Sequence, residues 1–286
     1  MIRVNELRKL VGTFMLRNIT LDIPAGYIIG LIGANGCGKT TLLHVLMGLY
    51  EPNHGEVEIM GMKYAEDGDK IRDNIGVVLQ ERMYEEQMTL QENAAYMGRF
   101  YSQYDEAYFL AMLERYELNP KKKYTHLSKG EELKFQFALA LSHHPKLLIL
   151  DEPTGNFDPE FREEFLSDLK DFIADGEHSV ILATHLTDDL DKIADYIVYM
   201  EDGAILLDSD IETLRNKYRI IAGEDYRMKL LREDRIIYME KGELATKALV
   251  RHRKIDTYDP SYTVMVPTIE ELMYFMTKRA KGVSIC

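Results

Sequence analysis

The chain has 286 residues, 46% of them hydrophobic, and a formal net charge of −13 at pH 7, so it can bury the core of one large domain plus a small one, and the charge disfavours nucleic acid as a partner. Its two cysteines, Cys37 and Cys286, do not make a disulfide framework and indicate a reducing cytosol. Because the first residues lack the apolar core of a signal peptide and no apolar run is long enough to span a bilayer, we expect the protein to meet a membrane only through a partner.

The first elements along the chain are strands. Residues 2–10 and 14–23 alternate loosely between polar and apolar and are separated by a glycine, which predicts two antiparallel strands. The continuous apolar run at 27–32 predicts a buried strand. A glycine-rich turn follows, and the sequence then predicts a helix. Apolar residues recur there at helical spacing, at Leu42, Leu43, Leu46 and Leu49.

The turn between that strand and helix matches the phosphate-binding pattern G-x-x-x-x-G-K-[ST]. Its glycines let successive backbone N–H groups point into one concavity, and the N-terminus of the next helix adds the positive end of a dipole. Lys39 brings a charge to the β- and γ-phosphates, and Thr40 offers its hydroxyl to Mg²⁺. The nucleotide-binding residues predicted in this loop are Gly33, Asn35, Gly36, Cys37, Gly38, Lys39, Thr40 and Thr41.

Strands and helices alternate through the middle of the chain, which predicts a mainly parallel α/β sheet. An inserted helical region is predicted at 89–143, and a further helix begins at Asp158 and Pro159 and stops at Gly176. The predicted strands of this part are residues 56–60, 75–79 (followed by Gln80), 146–151 and 179–183.

A different pattern begins beyond residue 208. Short strands are predicted at 219–221, 235–239 and 262–266, and a last helix begins at Thr268, which has Glu271 at capping-box spacing. We therefore predict a large domain over 1–212, with its helical part at about 89–145, and a small α+β domain over 213–286.

Two carboxylates follow the apolar strand at 146–151. Parallel neighbouring strands bring their carboxyl ends to one crevice, so Asp151 is expected to hold Mg²⁺ near the phosphate loop. Glu152 is a candidate to polarise an attacking water molecule. Without the phosphate loop, a pair of surface acids at a strand end would be the better interpretation.

An ordered set of motifs resembles the ATP-binding subunit of an ABC transporter over about residues 1–210. Gln80 or His185 alone would be an ordinary polar residue, whereas six motifs in the right order are specific. Besides the phosphate loop, the similar motifs are Gln80 at the Q-loop, 127–131 (L-S-K-G-E) at the signature, 147–154 (L-L-I-L-D-E-P-T) at Walker B, 154–158 (T-G-N-F-D) at the D-loop and His185 at the switch histidine.

The resemblance implies a P-loop NTPase fold of the ABC type. This fold is α/β, with a mainly parallel sheet, an antiparallel β subdomain, an inserted helical subdomain and here a small C-terminal α+β appendage. It also implies a composite site, in which two ATP-binding subunits pair head to tail and ATP lies between the phosphate loop of one and the signature of the other.

Roles at the reacting phosphate follow from the same resemblance. Gln80 joins Thr40 and Asp151 around Mg²⁺. Glu152 polarises the attacking water, and His185 contacts the γ-phosphate. The catalytic candidates are Glu152, His185 and Gln80, and the metal-binding candidates are Thr40, Gln80 and Asp151.

The signature and D-loop supply the remaining candidates. Ser128 and Gly130 are expected to bind the ATP of the partner subunit, and Ser128 has Glu131 at capping-box spacing. Asp158 is expected to contribute to nucleotide binding from the D-loop. Lys129 replaces a signature glycine and Glu131 the usual glutamine, and we expect Lys129 to offset part of the Glu131 charge.

Two further regions concern the binding of the adenine base and of the membrane subunit. The aromatic residue that stacks on adenine in this family is expected near residues 10 and 11, where none occurs, and Phe14 is the nearest substitute. Met83, Tyr84 and Met88 lie where family members receive a helix of the membrane subunit. An equally good interpretation is that these three residues belong to the start of the hydrophobic core of the helical region.

The sequence thus predicts a Mg²⁺-dependent ATPase subunit that binds ATP and powers a separate, polytopic membrane subunit, most like the ABC-2 exporter type of peptide-export and antimicrobial-resistance systems. A second ATP-binding subunit is expected, as a homodimer or heterodimer, at the cytoplasmic face of the membrane. The alternatives are a soluble ABC-type ATPase acting on ribosomes or nucleic acid, and a regulatory nucleotide-binding module. The chain has neither the charged linker nor the long coiled coil that is typical of such soluble ATPases. It has all the residues for ATP hydrolysis, some of which a regulatory module with a degenerate site would lack.

Overall fold

The computed structural model describes residues 1–81, 83–242 and 245–280, so Cys286 lies outside the described residues. Its strands form three sheets. In chain order they are β1 (Ile2–Val11), β2 (Phe14–Ile23), β3 (Ile28–Ile32), β4 (His54–Ile59), β5 (Ile75–Val78), β6 (Leu147–Asp151), β7 (Ser179–Ala183), β8 (Tyr196–Glu201), β9 (Ala204–Asp210), β10 (Tyr218–Gly223), β11 (Ile236–Lys241), β12 (Thr246–Arg251) and β13 (Thr263–Met265).

Helices flank the sheets and connect their strands. They are α1 (Lys39–Leu46), α2 (Tyr64–Asp73), α3 (Leu90–Gly98), α4 (Glu106–Arg115), α5 (Lys129–Leu141), α6 (Pro159–Phe172), α7 (Thr187–Ile193), α8 (Ile211–Lys217), α9 (Asp225–Met228) and α10 (Ile269–Ala280).

The central sheet has six strands in the order β5-β6-β7-β3-β8-β9, all parallel except β9, which is antiparallel to β8. Every residue of β3, β6 and β7 is buried, because helices or the second sheet cover both faces. Continuous apolar runs are typical of such strands, which is why these three were predicted from the sequence. The mainly parallel α/β fold is confirmed.

The second sheet is antiparallel, in the order β2-β1-β4. Its inward residues, such as Leu7 and Ile19, form one core with Leu42 and Leu43 of α1 and with one face of the central sheet. Leu49, predicted to lie on the inner face of that helix, falls beyond its end and is exposed.

The inserted helical segment contains α3, α4 and α5. Aromatic rings fill its centre: Phe135 of α5 lies 6.0 Å from Phe109 of α4 and 5.7 Å from Tyr124, measured between ring centroids. Tyr84 joins them, 5.0 Å from Phe135. Of the two interpretations of the segment around Tyr84, the core interpretation holds for Tyr84, while Met83 is exposed.

The C-terminal part forms an antiparallel sheet in the order β11-β12-β10-β13. Helix α10 starts with the predicted capping box, in which the N–H of Glu271 donates to Thr268 Oγ1 (3.2 Å) and the N–H of Thr268 to Glu271 Oε2 (3.1 Å). Thr277 of α10 is hydrogen-bonded to the hydroxyl of Tyr199 on β8, so this part is attached to the central sheet. The domain boundary near residue 212 stays a prediction.

Helix α6 ends earlier than predicted, at Phe172 instead of Gly176. The Asp175 carboxylate accepts the N–H groups of Glu177 and His178, which favours a turn over a further helical turn. Gly176 follows with a positive φ of 76° inside that turn.

Candidate functional site

A cleft of about 570 Å³ lies at the carboxyl edge of the central sheet. The strands β3, β5, β6 and β7 all end there, so the residues that follow them converge, as expected for a parallel sheet. The cleft is lined by Val11, Phe14, Asn35, Gly36, Gly38, Lys39, Thr40, Thr41, Gln80, Asp151, Glu152 and His185.

The glycine-rich loop between β3 and α1 forms the floor of this cleft. Gly36 and Gly38 adopt positive φ angles of 80° and 111°, which side chains disfavour. A Cβ atom on Gly38 would lie 2.7 Å from the Phe14 ring, whereas one on Gly36 would meet nothing within 4 Å. Gly36 therefore opens the loop toward the cleft. Cys37, predicted with the binding residues, turns its side chain into the core instead.

The ammonium group of Lys39 is buried at the loop, with only 7% of the side chain exposed. It donates to the carbonyl oxygen of Gly33 over 2.8 Å and lies 3.9 Å from Oε1 of Glu152. A buried cation held by a carbonyl group and a carboxylate favours anionic ligands in the adjacent cleft.

Two oxygen donors suited to a hard cation lie side by side at the next position. The hydroxyl of Thr40 donates to Oδ2 of Asp151 over 2.9 Å. Burial raises the pKa of Asp151, the hydrogen bond from Thr40 lowers it, and the charge of Glu152 raises it further, with a net rise. Gln80 lines the same cleft. Hydroxyl, carboxylate and amide oxygens are the donor set that Mg²⁺ prefers, so these residues fit the predicted metal.

Glu152 connects the lysine to the predicted switch histidine. Its Oε2 accepts from Nδ1 of His185 at 2.7 Å and from the His185 N–H at 3.3 Å. The backbone of Glu152 is left-handed, with φ 51° and ψ 46°. That conformation costs about 1–2 kcal/mol for a residue other than glycine, and such strain clusters at functional positions.

The signature lies away from the cleft of its own chain. Ser128 caps α5 in the predicted capping box with Glu131, which confirms that motif. Both carboxylate oxygens of Glu131 lie 2.8 Å from Nζ of Lys122. Lys129 itself reaches Glu132 and the carbonyl oxygen of Gln80, so the expectation that it offsets part of the Glu131 charge stays a prediction. Neither Ser128 nor Gly130 lines the cleft of the same chain.

Asp158 is also outside the cleft. Its carboxylate accepts the N–H of Phe161 at 2.9 Å and caps α6, and this hydrogen bond lowers its pKa. Phe157, unusual in the D-loop, packs against Phe161 and Phe165 with centroid distances of 4.6 and 5.2 Å. A nucleotide contact from Asp158 within its own chain is not supported by this geometry.

The apolar end of the cleft contains Val11 and Phe14. The Phe14 ring packs against the phosphate loop at Gly38. Among the described lining residues, Phe14 is the one with a phenyl ring. The contacts of Lys129 and Gln136 with the backbone around Gln80 were not predicted, because they join positions far apart in the sequence.

Comparison with known proteins identifies relatives over most of the chain. The family model for "ABC transporter" matches residues 16–155. The ABC transporter ATP-binding protein YtrB of Bacillus subtilis (strain 168) is 28% identical over 219 residues, which cover 76% of this chain and 75% of YtrB. The glutamate transport ATP-binding protein GluA of Corynebacterium efficiens is 32% identical over 241 residues, covering 81% of this chain and 99% of GluA.

Among solved structures, the dimeric post-hydrolysis state of the ATP-binding cassette MJ0796 bound to ADP and Pi matches with a TM-score of 0.66 at 26% identity, covering 74% of this chain and 99% of that one. In the part of the chain that the structure describes, no helix has the length and apolar character needed to cross a bilayer. With the motifs, the fold and a relative matched along nearly its whole length, the chain belongs to the family of ABC transporter ATP-binding proteins.

Proposed function

We propose that this ATP-binding subunit is a Mg²⁺-dependent ATPase that drives a separate membrane subunit, in a transporter that exports a peptide or drug-like substrate. The observation that carries the ATPase proposal is the convergence of one buried cation and two hydrogen-bonded side-chain pairs in one cleft. Lys39 lies at the phosphate loop, Thr40 bonds Asp151, and Glu152 bonds His185.

Phosphate binding is assigned to the loop and the start of α1. The backbone N–H groups near Gly36 and Gly38, the helix N-terminus and the Lys39 ammonium together favour the β- and γ-phosphates. Thr40, Asp151 and Gln80 would hold Mg²⁺. The metal would supply positive charge there to offset the negative charge that develops on the transferred phosphate.

Glu152 is proposed as the general base. Its carboxylate takes a proton from water as the water oxygen bonds to the γ-phosphorus and the bond from that phosphorus to the bridging oxygen breaks. The hydrogen bond from His185 orients Glu152, and because the His185 side chain is 58% exposed and lines the cleft, we also assign it a contact with the γ-phosphate.

A partner subunit completes the proposed site. Since Ser128 and Gly130 lie outside the cleft of their own chain, the free N–H groups at the start of α5 are available to the ATP of a second subunit. Asp158 belongs to the same proposed interface. A homodimer or a heterodimer would satisfy this arrangement.

The surface proposed for the membrane subunit is on the segment that follows Gln80 in the chain. Met83, Tyr96 and Phe100 are 42%, 51% and 69% exposed, and the rings of Tyr96 and Phe100 lie 6.0 Å apart. Exposed apolar side chains of this kind suit docking of a cytoplasmic helix. We place the protein at the cytoplasmic face of the membrane through that contact, with an ABC-2 type permease as the partner and without nucleic acid.

The experiment is to isolate the protein from native membranes in mild detergent and to identify its stoichiometric partners by mass spectrometry, together with Mg²⁺-dependent ATP hydrolysis. A polytopic membrane protein and hydrolysis are expected. A wholly soluble protein bound to ribosomal or DNA-associated partners would overturn the transport proposal while leaving the ATPase proposal intact. Reconstitution of the complex into vesicles then tests the direction of transport, and uptake toward the nucleotide side would contradict export.

A further inference from the structure

Helix α5 holds the backbone of the Leu79–Gln80 segment at two points. Nζ of Lys129 donates to the carbonyl oxygen of Gln80 over 2.8 Å. The side-chain oxygen Oε1 of Gln136 accepts the N–H of Leu79 at 2.9 Å. Lys129 and Gln136 are about two helical turns apart, so they lie on the same face of α5. The chain is thus attached along this face just as it leaves β5.

Lys129 has an anionic partner on the same helix. Its Nζ lies 3.2 Å from Oε2 of Glu132, one turn further along α5, and the Glu132 side chain is only 1% exposed. A buried carboxylate stabilises the ammonium charge, and a charged donor makes a stronger bond to a carbonyl oxygen than a neutral one. The hydrogen bond to the carbonyl oxygen of Gln80 is therefore charge-assisted, and the Glu132 carboxylate helps to hold its donor, the Lys129 ammonium group, in place.

Because Lys129 is part of the signature, its contact with Gln80 connects the signature to the Q-loop. Lys129 lies between Ser128 and Gly130 in the signature, and a glycine at its place would have no side chain to reach the Q-loop. At the other end of the bond, Gln80 lines the cleft with Thr40. One side chain therefore joins the two regions that the proposed function directs at different nucleotides.

We propose that Lys129 is a positioning residue that ties the start of the signature helix to the Q-loop, so that Gln80 at one nucleotide and Ser128 and Gly130 at the partner's nucleotide move together. The attachment of helix to loop follows from the contacts of Lys129 alone. The coupling between two nucleotide sites rests on the proposed function.

Amide hydrogen exchange of the full-length protein without nucleotide tests the attachment. In Lys129→Met, exchange in peptides containing Leu79, Gln80 and Glu81 should be about tenfold faster, because a charge-assisted bond that restrains local opening is lost. Lys129→Arg should restore exchange to within about twofold of wild type, since arginine keeps a charged donor. Lys122→Met is the matched control, because Lys122 pairs with Glu131 at the start of the same helix and not with the Q-loop.

Exchange in β7 reports whether each variant is folded. If Lys129→Met does not fold, because the buried Glu132 carboxylate loses this cation, the double variant Lys129→Met with Glu132→Gln is used in its place. The second change removes the buried charge. Wild-type exchange at Leu79 and Gln80 in folded Lys129→Met, alone or combined with Glu132→Gln, would overturn the attachment. An equal increase in Lys122→Met would also overturn it.

A kinetic cycle on the protein with its co-purified partner tests the coupling. Lys129→Met should lower kcat about tenfold with KM for ATP changed less than about twofold, because phosphate binding is left to Lys39, and Lys129→Arg should recover kcat. In a Gln80→Ala background, Lys129→Met should change kcat less than about twofold. Equal losses in both backgrounds would mean that Lys129 acts without Gln80. If wild-type protein hydrolyses no ATP, the proposed function fails, and the exchange comparison still decides the attachment.

Discussion

Glu152 Oε2 lies 2.7 Å from Nδ1 of His185, although the two residues are separated by a helix and a strand in the sequence. The register of the central sheet sets this distance, because Asp151 of β6 pairs with Ala183 of β7 and the following residues leave the sheet together. Since an ionised carboxylate can only accept, Nδ1 carries the hydrogen in this contact. The base and its orienting group are therefore positioned by the sheet itself.

Replacement of Glu152 by glutamine should separate binding from turnover. Glutamine keeps the shape of the side chain but cannot take a proton, so kcat should fall at least about 100-fold while the affinity for ATP changes only a few-fold. Steady-state hydrolysis and equilibrium nucleotide binding are the measurements. Glu160→Gln, at the start of α6 and outside the cleft, is the control. Undiminished hydrolysis would remove Glu152 from the mechanism.

His185→Ala should lower kcat by about 10- to 100-fold, because Glu152 loses the donor that orients it. The loss should be much smaller in a Glu152→Gln background, since the two groups act as one unit. His178→Ala is the matched control: His178 makes a similar Nδ1 contact, 2.6 Å from Asp175, at a turn away from the cleft. Independent, additive losses in the double variant would show that His185 does not act through Glu152.

The carboxylate of Asp151 should make metal affinity depend on pH. Burial raises its pKa above the ordinary value of 3.8, and a metal ion requires the ionised form. As pH falls through the raised pKa, Asp151 takes a proton and Mg²⁺ binding weakens; as pH rises above it, the affinity reaches a plateau. Mg²⁺ titrations of ATP binding at a series of pH values, from about neutral downward, measure this effect. In Asp151→Asn the Mg²⁺ dependence should largely disappear and its pH dependence with it.

The features predicted best from the sequence depend on local signals. The phosphate loop is a contiguous motif, β7 is a buried apolar run, and the capping boxes at Ser128 and Thr268 need only a spacing of three residues. Helix α2, with Ile71 as its one buried residue, has too little apolar periodicity to be recognised in this way.

The pairing of charged side chains could not be predicted from the sequence, for a different reason. Lys129 has acidic neighbours at Glu131 and Glu132, and the sequence does not say which of them it meets. The structure gives Glu131 to Lys122 and turns Lys129 toward Glu132 and the Q-loop. Such choices depend on how α5 packs against the end of β5, which is a property of the whole fold.

The cleft should discriminate only weakly between ATP and GTP. Val11 and Phe14 are the apolar lining residues of the cleft, and the Phe14 ring already packs against Gly38, so a base finds little aromatic surface. Contacts to phosphates do not distinguish ATP from GTP. We expect their affinities to differ by less than about tenfold, which corresponds to about 1.4 kcal/mol. Competition binding with both nucleotides is the measurement, and a preference of about 100-fold for ATP would contradict this account. Val11→Tyr should shift selectivity toward ATP if stacking is what the site lacks.

Asn93 should hold in place the segment that follows Met83, a residue of the surface proposed for the membrane subunit. Its buried amide accepts the N–H of Glu85 at 2.9 Å and donates to the carbonyl oxygens of Glu85 and Thr89 at 3.0 and 3.2 Å, which fixes the segment between them. Asn93→Ala removes the acceptor of the Glu85 N–H and one of the donors to each carbonyl oxygen, so it should lower the free energy of unfolding by about 1–3 kcal/mol and weaken retention of the membrane partner. Denaturant unfolding and pull-down from detergent extracts measure the two effects. Asn74→Ala is the control, because Asn74 bonds only to Lys70 of its own helix through its side chain in the described structure. Equal loss of the partner in both variants would place the docking surface elsewhere.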